Sequence, residues 1–505
     1  MLKQLALLAL PPVLLLFASA VLSEEMFSGA LILNEDNSHF FGSRSPDEMT
    51  IDGLNAFVDQ YEDTAVTHIF FCVNASRANV ANPAREAIWE PNKDGDEPTH
   101  SWAQNAKLLD ERGIDPYTVW IERCREKKIS PWCSVRMNDL HNIDDLSNFQ
   151  HSSFVVKNPQ FWRVPNETQG VWADRALNFR HKEVRKHLTD FIDFQLEHYD
   201  FDGIELDWMR FGYHLTPGHE REEAHFLTEV VEYTREKARE WSTKRGHSIG
   251  VAVRVPALPE AAAGLGMDAV DWAKKDLVDL IVPCAFYATM DFDVPFETWN
   301  QLLAGTDVSL AAASEFLVVP FPGAKETACT IDQLRGFAAE EKFRGTTNIY
   351  LFNWMDSDTR RVDETDYRAM LRDGFSDAFL AACPREVPLT FHDTVPAGMS
   401  NGARLPKSTE EPVQLTIPTG PRPAETGQIF VGLAEEREID SFSAALNGAA
   451  PTARETIDPE NLPGAKSALV FTFAREAFAE GNNSFVLSQS EGESSTVIYV
   501  KARLE

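Results

Sequence analysis

The densest concentration of chemistry-bearing side chains is the run Phe201-Asp202-Gly203-Ile204-Glu205-Leu206-Asp207-Trp208-Met209-Arg210-Phe211. Its alternation is that of a strand: Ile204, Leu206 and Trp208 share one face, and Glu205, Asp207 and Met209 the other. Same-face neighbours stand ~6.5 Å apart along a strand, so Asp207 is expected at a rim and Glu205 one layer deeper. Burying two like charges is expensive. It either raises one pKa or calls for a cation nearby, such as Arg210 or Arg254. Paired carboxyls in such surroundings suit acid/base chemistry, and they equally suit an ion-pair layer that closes a core.

Such a strand needs a scaffold, and from residue 26 to about 380 short β-rich runs alternate with amphipathic helices. Eight strands are expected: Gly29 to Leu33, Thr67 to Val73, Ile129 to Val135, Gly203 to Met209, Ile249 to Val255, Leu280 to Phe286, Val308 to Ala313 and Asn348 to Asn353. Between them, Leu227, Val230, Val231, Thr234, Ala238 and Trp241 recur at helical spacing, as do Val184, Leu188, Phe191, Ile192 and Tyr199. Eight strand-then-helix units predict an α/β fold, a closed (β/α)8 TIM barrel with its site at the C-terminal strand ends. A doubly wound open sheet is the alternative, but no Gly-rich phosphate fingerprint follows the first strand. The span exceeds the about 250 residues of a minimal barrel, and the surplus lies in loops 74–115 and 136–180. These overhang the catalytic face and carry Trp89, Trp102, Trp162 and Trp172, whose rings suit the apolar faces of sugars; Trp89 and Trp162 are taken as stacking candidates. After Cys383-Pro384 the texture changes to short alternating runs between Pro, Gly and Asn, which predicts a small all-β sandwich over 385–505. All 11 tryptophans lie at or before Trp354, so this part reads as an accessory domain rather than an independent sugar binder.

The motif Phe-Asp-Gly-Ile, one residue, an aliphatic, Asp, an aromatic, one residue, Arg-Phe, running from Phe201 to Phe211, resembles the fourth-strand signature of the bacterial glycosyl-hydrolase-like 10 barrels. A looser similarity extends over residues 26–380. The resemblance implies a (β/α)8 polysaccharide hydrolase or close relative, often exported, with the strand-end aspartate, here Asp207, as the catalytic carboxylate. Glu205 falls at an unspecified position of the motif and is a catalytic candidate by its strand face. Cleavage of a glycosidic bond needs a second carboxyl opposite the first, ~5 to 5.5 Å away for retention or ~6.5 to 9.5 Å for inversion. Asp291 and Glu315, after strands six and seven, lie across the barrel from strand four and are the preferred partners; Asp293, Asp139 and Asp356 also lie beyond strand ends. Each equally suits a helix cap or a solvated loop. Arg210, Asn34, Asn74, Arg136, Asn138, His141, Arg254, Tyr287, Asn353 and Trp354 fall near the same face and are candidates for binding substrate hydroxyls.

With 78 acidic and 47 basic residues the formal net charge is −31, which opposes phosphate backbones and anionic lipid surfaces. The expected partner is a carbohydrate, with no nucleic acid, no stable membrane insertion and no cofactor or metal. Residues 1–20 order a charge, an apolar run and Ala18-Ser19-Ala20, as in a secretory signal cut after Ala20, and predict a secreted or periplasmic protein; Pro11-Pro12 argues against an anchor. Six cysteines with no CxxC spacing read as buried thiols. Two other readings are a metal-dependent phosphodiesterase or amidohydrolase using Asp202, Glu205 and Asp207 as oxygen ligands, and a non-catalytic glycan-binding barrel. The sequence lacks HExxH, and His181 and His187 are badly spaced for one metal.

Overall fold

The computed structural model describes residues 26–90, 97–354 and 363–505. Residues 1–20, expected to be a signal segment, and Asp356 lie outside these. Eight parallel strands close into a barrel in sequence order: β1 (Leu31–Glu35), β2 (Val66–Cys72), β3 (Ser130–Arg136), β4 (Gly203–Asp207), β5 (Gly250–Pro256), β6 (Leu280–Cys284), β7 (Ser309–Ser314) and β8 (Asn348–Leu351). All eight expected strands are present, with no end displaced by more than two residues.

The strand pleat sorts the side chains. Ile204, Leu206 and Trp208 join the large core between barrel and helices, together with Val184, Leu188, Phe191 and Ile192 of helix α1 (Lys182–His198) and Leu227, Val230, Val231 and Ala238 of α2 (His225–Arg245). Met209 joins the separate inner cluster of Ile32, Phe70, Trp132, Ala252, Leu280, Val282, Tyr350 and Phe352. The barrel floor is Trp132, stacked on Phe70 with centroids 4.8 Å apart. Its ring occupies the space of two missing side chains, since a Cβ at Gly203 or Gly250 would lie 2.3 or 2.4 Å from it. Floor packing of this kind leaves the polar layers to the upper strand ends.

Strand β4 stops at Asp207 rather than Met209, because the Asp207 carboxylate accepts from the backbone N–H groups of Met209 and Arg210 and turns the chain there. Phe211, just past that turn, takes a φ of 71°. After β8 the chain enters two packed antiparallel sheets. One runs in the order Arg385–Pro388, Thr496–Leu504, Thr426–Leu433, Ser467–Ala474, Ala453–Ile457, with Lys407–Ser408 paired to Thr496–Leu504; the other is Val413–Pro418, Asn482–Gln489, Phe442–Leu446. Alternate residues of both sheets, among them Leu415, Ile429, Val431, Phe471, Phe485 and Val500, form the sandwich core. The segment from Leu389 to Leu405, between the first sandwich strand and Lys407–Ser408, lies against the barrel loops after β6. Among the described residues no helix is long and apolar enough to cross a membrane.

Candidate active site

Strand register assembles the site in two layers. Arg136 of β3, Asp207 of β4 and Arg254 of β5 are consecutive partners across the sheet, and Ser134, Glu205 and Ala252 form the row beneath. In the upper row Arg254 Nη1 donates to Asp207 Oδ2 at 2.8 Å, while Asp207 Oδ1 accepts from Met209 N at 3.0 Å and Arg210 N at 2.9 Å. Every contact to Asp207 is a donor, which is the environment of a carboxylate. Arg254 in turn lies over the Phe352 ring, 3.7 Å from its centroid.

In the lower row Glu205 receives Ser134 Oγ at 2.6 Å and, from across the barrel, the Tyr350 hydroxyl at 2.8 and 3.0 Å from its two oxygens. Asn34 of β1 donates to the same hydroxyl at 2.7 Å. Burial, then the Asp207 charge above it, pushes the Glu205 carboxyl up to about 7, against the pull of Arg254 and the two hydroxyls. Glu205 is thus a buried acid that favours keeping its proton.

Glu315, the residue after β7, sits at the rim. Its Oε1 accepts from Phe316 N at 2.7 Å and Asn353 Nδ2 at 2.9 Å, and its Oε2 has no hydrogen-bond partner among the described residues. Burial pushes this carboxyl up to about 7 as well, although its two hydrogen bonds and the charges of Arg210 and Arg254 pull the other way. The same two arginines thus serve both acids: Arg254 and the Arg210 backbone bind Asp207, and the charges of Arg210 and Arg254 act on Glu315.

A buried ion network closes the β1–β3–β4 side. Arg136 reaches Asp36 Oδ2 at 2.7 Å and Asp139 Oδ2 at 2.9 Å, and His141 Nδ1 lies 2.9 Å from Asp139 Oδ1. Arg210 Nη2 is 2.7 Å from His141 Nε2. Arginine can only donate, so His141 accepts through Nε2 and gives its Nδ1 proton to Asp139. Burial acts to raise the Asp36 and Asp139 carboxyls; Arg136 and Arg210 around Asp36, and His141 and Arg136 around Asp139, outweigh it and hold both well below the usual range. Arg210 also lies 5.4 Å from the Tyr287 ring, whose side chain is 48% exposed at the mouth.

Other expected residues lie elsewhere or serve the scaffold. Asp291 does not join the carboxylates: its Oδ2 is 2.6 Å from Nδ1 of His392, in the segment after the first sandwich strand, and its Oδ1 accepts from Asp293 N. Asp293 is paired with Arg344 and Arg404. Asn74 is wholly spent on backbone, donating to Ala75 O and Arg136 O and accepting from Arg136 N, and Asn138 ties Leu177 and Tyr213 in the same way. Trp162 is buried with its N–H on Val155 O, and Trp89 packs on the helix-side core beside Pro116, away from the mouth. Trp354 is buried against Phe316, with its indole N–H unpartnered. Asp202 points to the opposite end of its strand, bonded to Ser130 and Arg125, so it does not converge with Glu205 and Asp207 on a cation. Among the described residues no three His, Cys, Asp or Glu side chains are arranged as metal ligands.

Three contributors went unselected in the sequence. Tyr350 was legible, since it shares its inward phase on β8 with Phe352. Trp172, one of the four loop tryptophans, is the one at the mouth, 36% exposed and in contact with Phe211, Tyr213 and Phe286. Asp393, far along the chain, accepts from the backbone N–H groups of Phe286, Tyr287 and Ala288 at 2.8 to 3.0 Å and so holds the loop that carries Tyr287.

No family model matches the chain, and no curated protein does. Among solved structures it is similar to α-L-fucosidase isoenzyme 2 from Paenibacillus thiaminolyticus (11% identity, TM-score 0.44), over 71% of this chain and 51% of that one. It is similar to a cycloisomaltooligosaccharide glucanotransferase from Paenibacillus sp. (7%, TM-score 0.34; 93% and 57%) and to AmyP in complex with maltose (10%, TM-score 0.41; 94% and 99%). The chain thus spans only about half the length of the first two.

Proposed function

We propose that this protein hydrolyses glycosidic bonds in a poly- or oligosaccharide, with Glu315 as general acid and Asp207 as the carboxylate acting at the anomeric carbon. The observation that carries the reading is the contrast in surroundings between two carboxyl groups at the barrel mouth. Asp207 is surrounded by three donors, one of them a guanidinium, whereas Glu315 is buried, raised to about 7, and has one oxygen without a hydrogen-bond partner among the described residues. A carboxyl held in hydrogen-bond donors beside a buried one that keeps its proton longer suits bond cleavage with protonation of the leaving oxygen.

In this scheme the proton on Glu315 Oε2 passes to the glycosidic oxygen as the carbon–oxygen bond breaks. Asp207 meets the positive charge developing on the sugar ring, either by bonding to the anomeric carbon or by drawing a proton from the water that does. Arg254 fixes Asp207 in place through their 2.8 Å ion pair, and burial with the Asp207 charge makes Glu205 beneath hold its proton more tightly than a free carboxyl. Arg210 and Tyr287 stand where they can bind hydroxyls. Export is supported by the order of residues 1–20. All six cysteines are unpaired, and burial raises the thiol pKa of Cys72, Cys124, Cys133, Cys284 and Cys329, which makes them poor nucleophiles.

The test is reducing-sugar release from a panel of polysaccharides by the wild type, Asp207→Asn and Glu315→Gln, each with and without chelator. Chelator-insensitive release by the wild type, lowered about 10²- to 10⁴-fold in each folded variant, is expected. No release from any glycan by folded wild type refutes the proposal.

A further inference from the structure

Beside the mouth lies a groove of about 580 Å³, within the about 300–1,000 Å³ range of small-molecule sites. Its walls come from the loops after β3, β4 and β5, that is, from the catalytic face, and from Pro396 and Ala397 of the segment after the first sandwich strand. That segment is seated deliberately. Gly264 admits it, since a Cβ there would lie 2.5 Å from the Pro396 ring, and Asp393 anchors it through three backbone N–H groups of the loop after β6.

The groove is continuous with the candidate active site through a line of rings. Arg210 at the mouth lies 5.9 Å from the Phe211 ring, Phe211 is 5.6 Å from Trp172, and Trp172 is 5.6 Å from Tyr213. Tyr213 is a wall of the groove, backed by Arg163 at 5.1 Å. Trp172 is exposed at the junction between the two spaces, and its neighbour Val171, also a groove wall, is 65% exposed. The charged walls are Asp174, Glu220 and Glu222 against Arg163 and Arg221, with Arg163 and Glu220 paired to each other at 3.1 Å. That slight excess of acid favours a neutral ligand over an anionic one.

We propose that this groove binds the sugar units extending from the cleavage point of a neutral glycan chain, with Trp172 as the stacking platform between the two spaces. The proposal rests on the glycosidase reading and adds that the protein acts on chains rather than on disaccharides. It also makes the segment from Asp393 to Ala397 part of the substrate site, so that the sandwich and barrel act as one unit.

The test uses the full chain and neutral gluco-, malto-, chito- and laminari-oligosaccharides of two to six units. On whichever series is cleaved, wild-type kcat/KM is expected to rise at least tenfold from the shortest cleaved member to the hexamer. Ala397→Trp, a substitution at an exposed wall position, removes that rise; Trp172→Ala weakens hexamer binding to the inactive Glu315→Gln background at least tenfold by calorimetry. Cleavage independent of length, or a hexamer affinity indifferent to both substitutions, overturns the groove while leaving the glycosidase reading intact. Length-dependent, Trp172-dependent binding without any cleavage overturns the catalytic reading and keeps the groove. Neither cleavage nor binding in any series overturns both.

Discussion

The substitution Glu315→Gln separates the electrostatics of the site from its chemistry. Burial moves the Glu315 carboxyl from its ordinary 4.5 to about 7. At about 1.4 kcal/mol per pH unit the displacement corresponds to about 3 kcal/mol. Between those two pH values the folded protein keeps a proton that the unfolded chain has released, so folding takes up a proton. The contribution is fully present below pH 4.5 and is lost as pH rises through 7. Glutamine has no proton to lose. Urea unfolding of the wild type at pH 5 and at pH 8.5 is therefore expected to show a fall in stability larger than that of the variant by about 2 to 3 kcal/mol. Glu205, shifted in the same direction, is present in both proteins and cancels in the comparison. Tryptophan fluorescence is a suitable probe, because all 11 tryptophans lie at or before Trp354 and so report the barrel alone. The activity of the wild type should decline above pH 7 for the same reason. Equal pH dependence in the two proteins would show that Glu315 titrates normally, and the assignment of the general acid would fall with it.

Asp207→Asn strips the partner from a buried guanidinium and should cost about 3–5 kcal/mol by thermal unfolding, with partial recovery when Arg254→Met is added. Activity should be lost in both, since the carboxylate is gone in each. Tyr350→Phe removes a hydroxyl that donates to Glu205 and accepts from Asn34, and should lower unfolding stability by about 1–3 kcal/mol while pushing the Glu205 carboxyl higher still; an unchanged melting temperature would contradict the network. Asp393→Ala leaves three N–H groups of the Phe286–Ala288 turn without their acceptor, so chymotrypsin should cut beside Phe286 or Tyr287 several-fold faster than in the wild type. Asp393→Asn, which keeps an acceptor oxygen, should fall between the two.

The barrel was legible because its information is local. Period-two alternation placed Ile204, Leu206 and Trp208 in the helix layer and Glu205 and Asp207 inside, and period 3.6 picked out the buried face of α1 and α2. The end of β4 was not legible, because the apolar alternation continues through Trp208 and Met209 while the chain is turned by the Asp207 side chain itself. Asn74, Asn138 and Trp162 show a second limit. A polar residue past a strand end suits a hydroxyl ligand and an unpaired backbone group equally well, and long buried loops generate many such groups. Trp162 is buried with its indole N–H on Val155 O while Trp172 stays exposed at the mouth, a difference of tertiary placement that no local pattern records.

The assignment of roles among the carboxyls lay furthest from the sequence, for a physical reason. Asp291 and Glu315 had equal standing as residues beyond neighbouring strands. What separates them is His392, which arrives from the start of the sandwich to occupy Asp291, while Glu315 is left with only Asn353 and a backbone N–H on one of its oxygens. Glu205 and Glu315 are then raised to similar values from different surroundings. A negative neighbour, Asp207, adds to burial at Glu205, whereas at Glu315 burial acts against two arginines. A ligand that excludes water from the mouth and engages Arg210 weakens the forces holding Glu315 down, and so strengthens its hold on the proton until the leaving oxygen is in place to take it. Glu205, enclosed by Ser134 and Tyr350, has no such exposure to the ligand, which is why the deeper acid supports the site and the rim acid performs its chemistry.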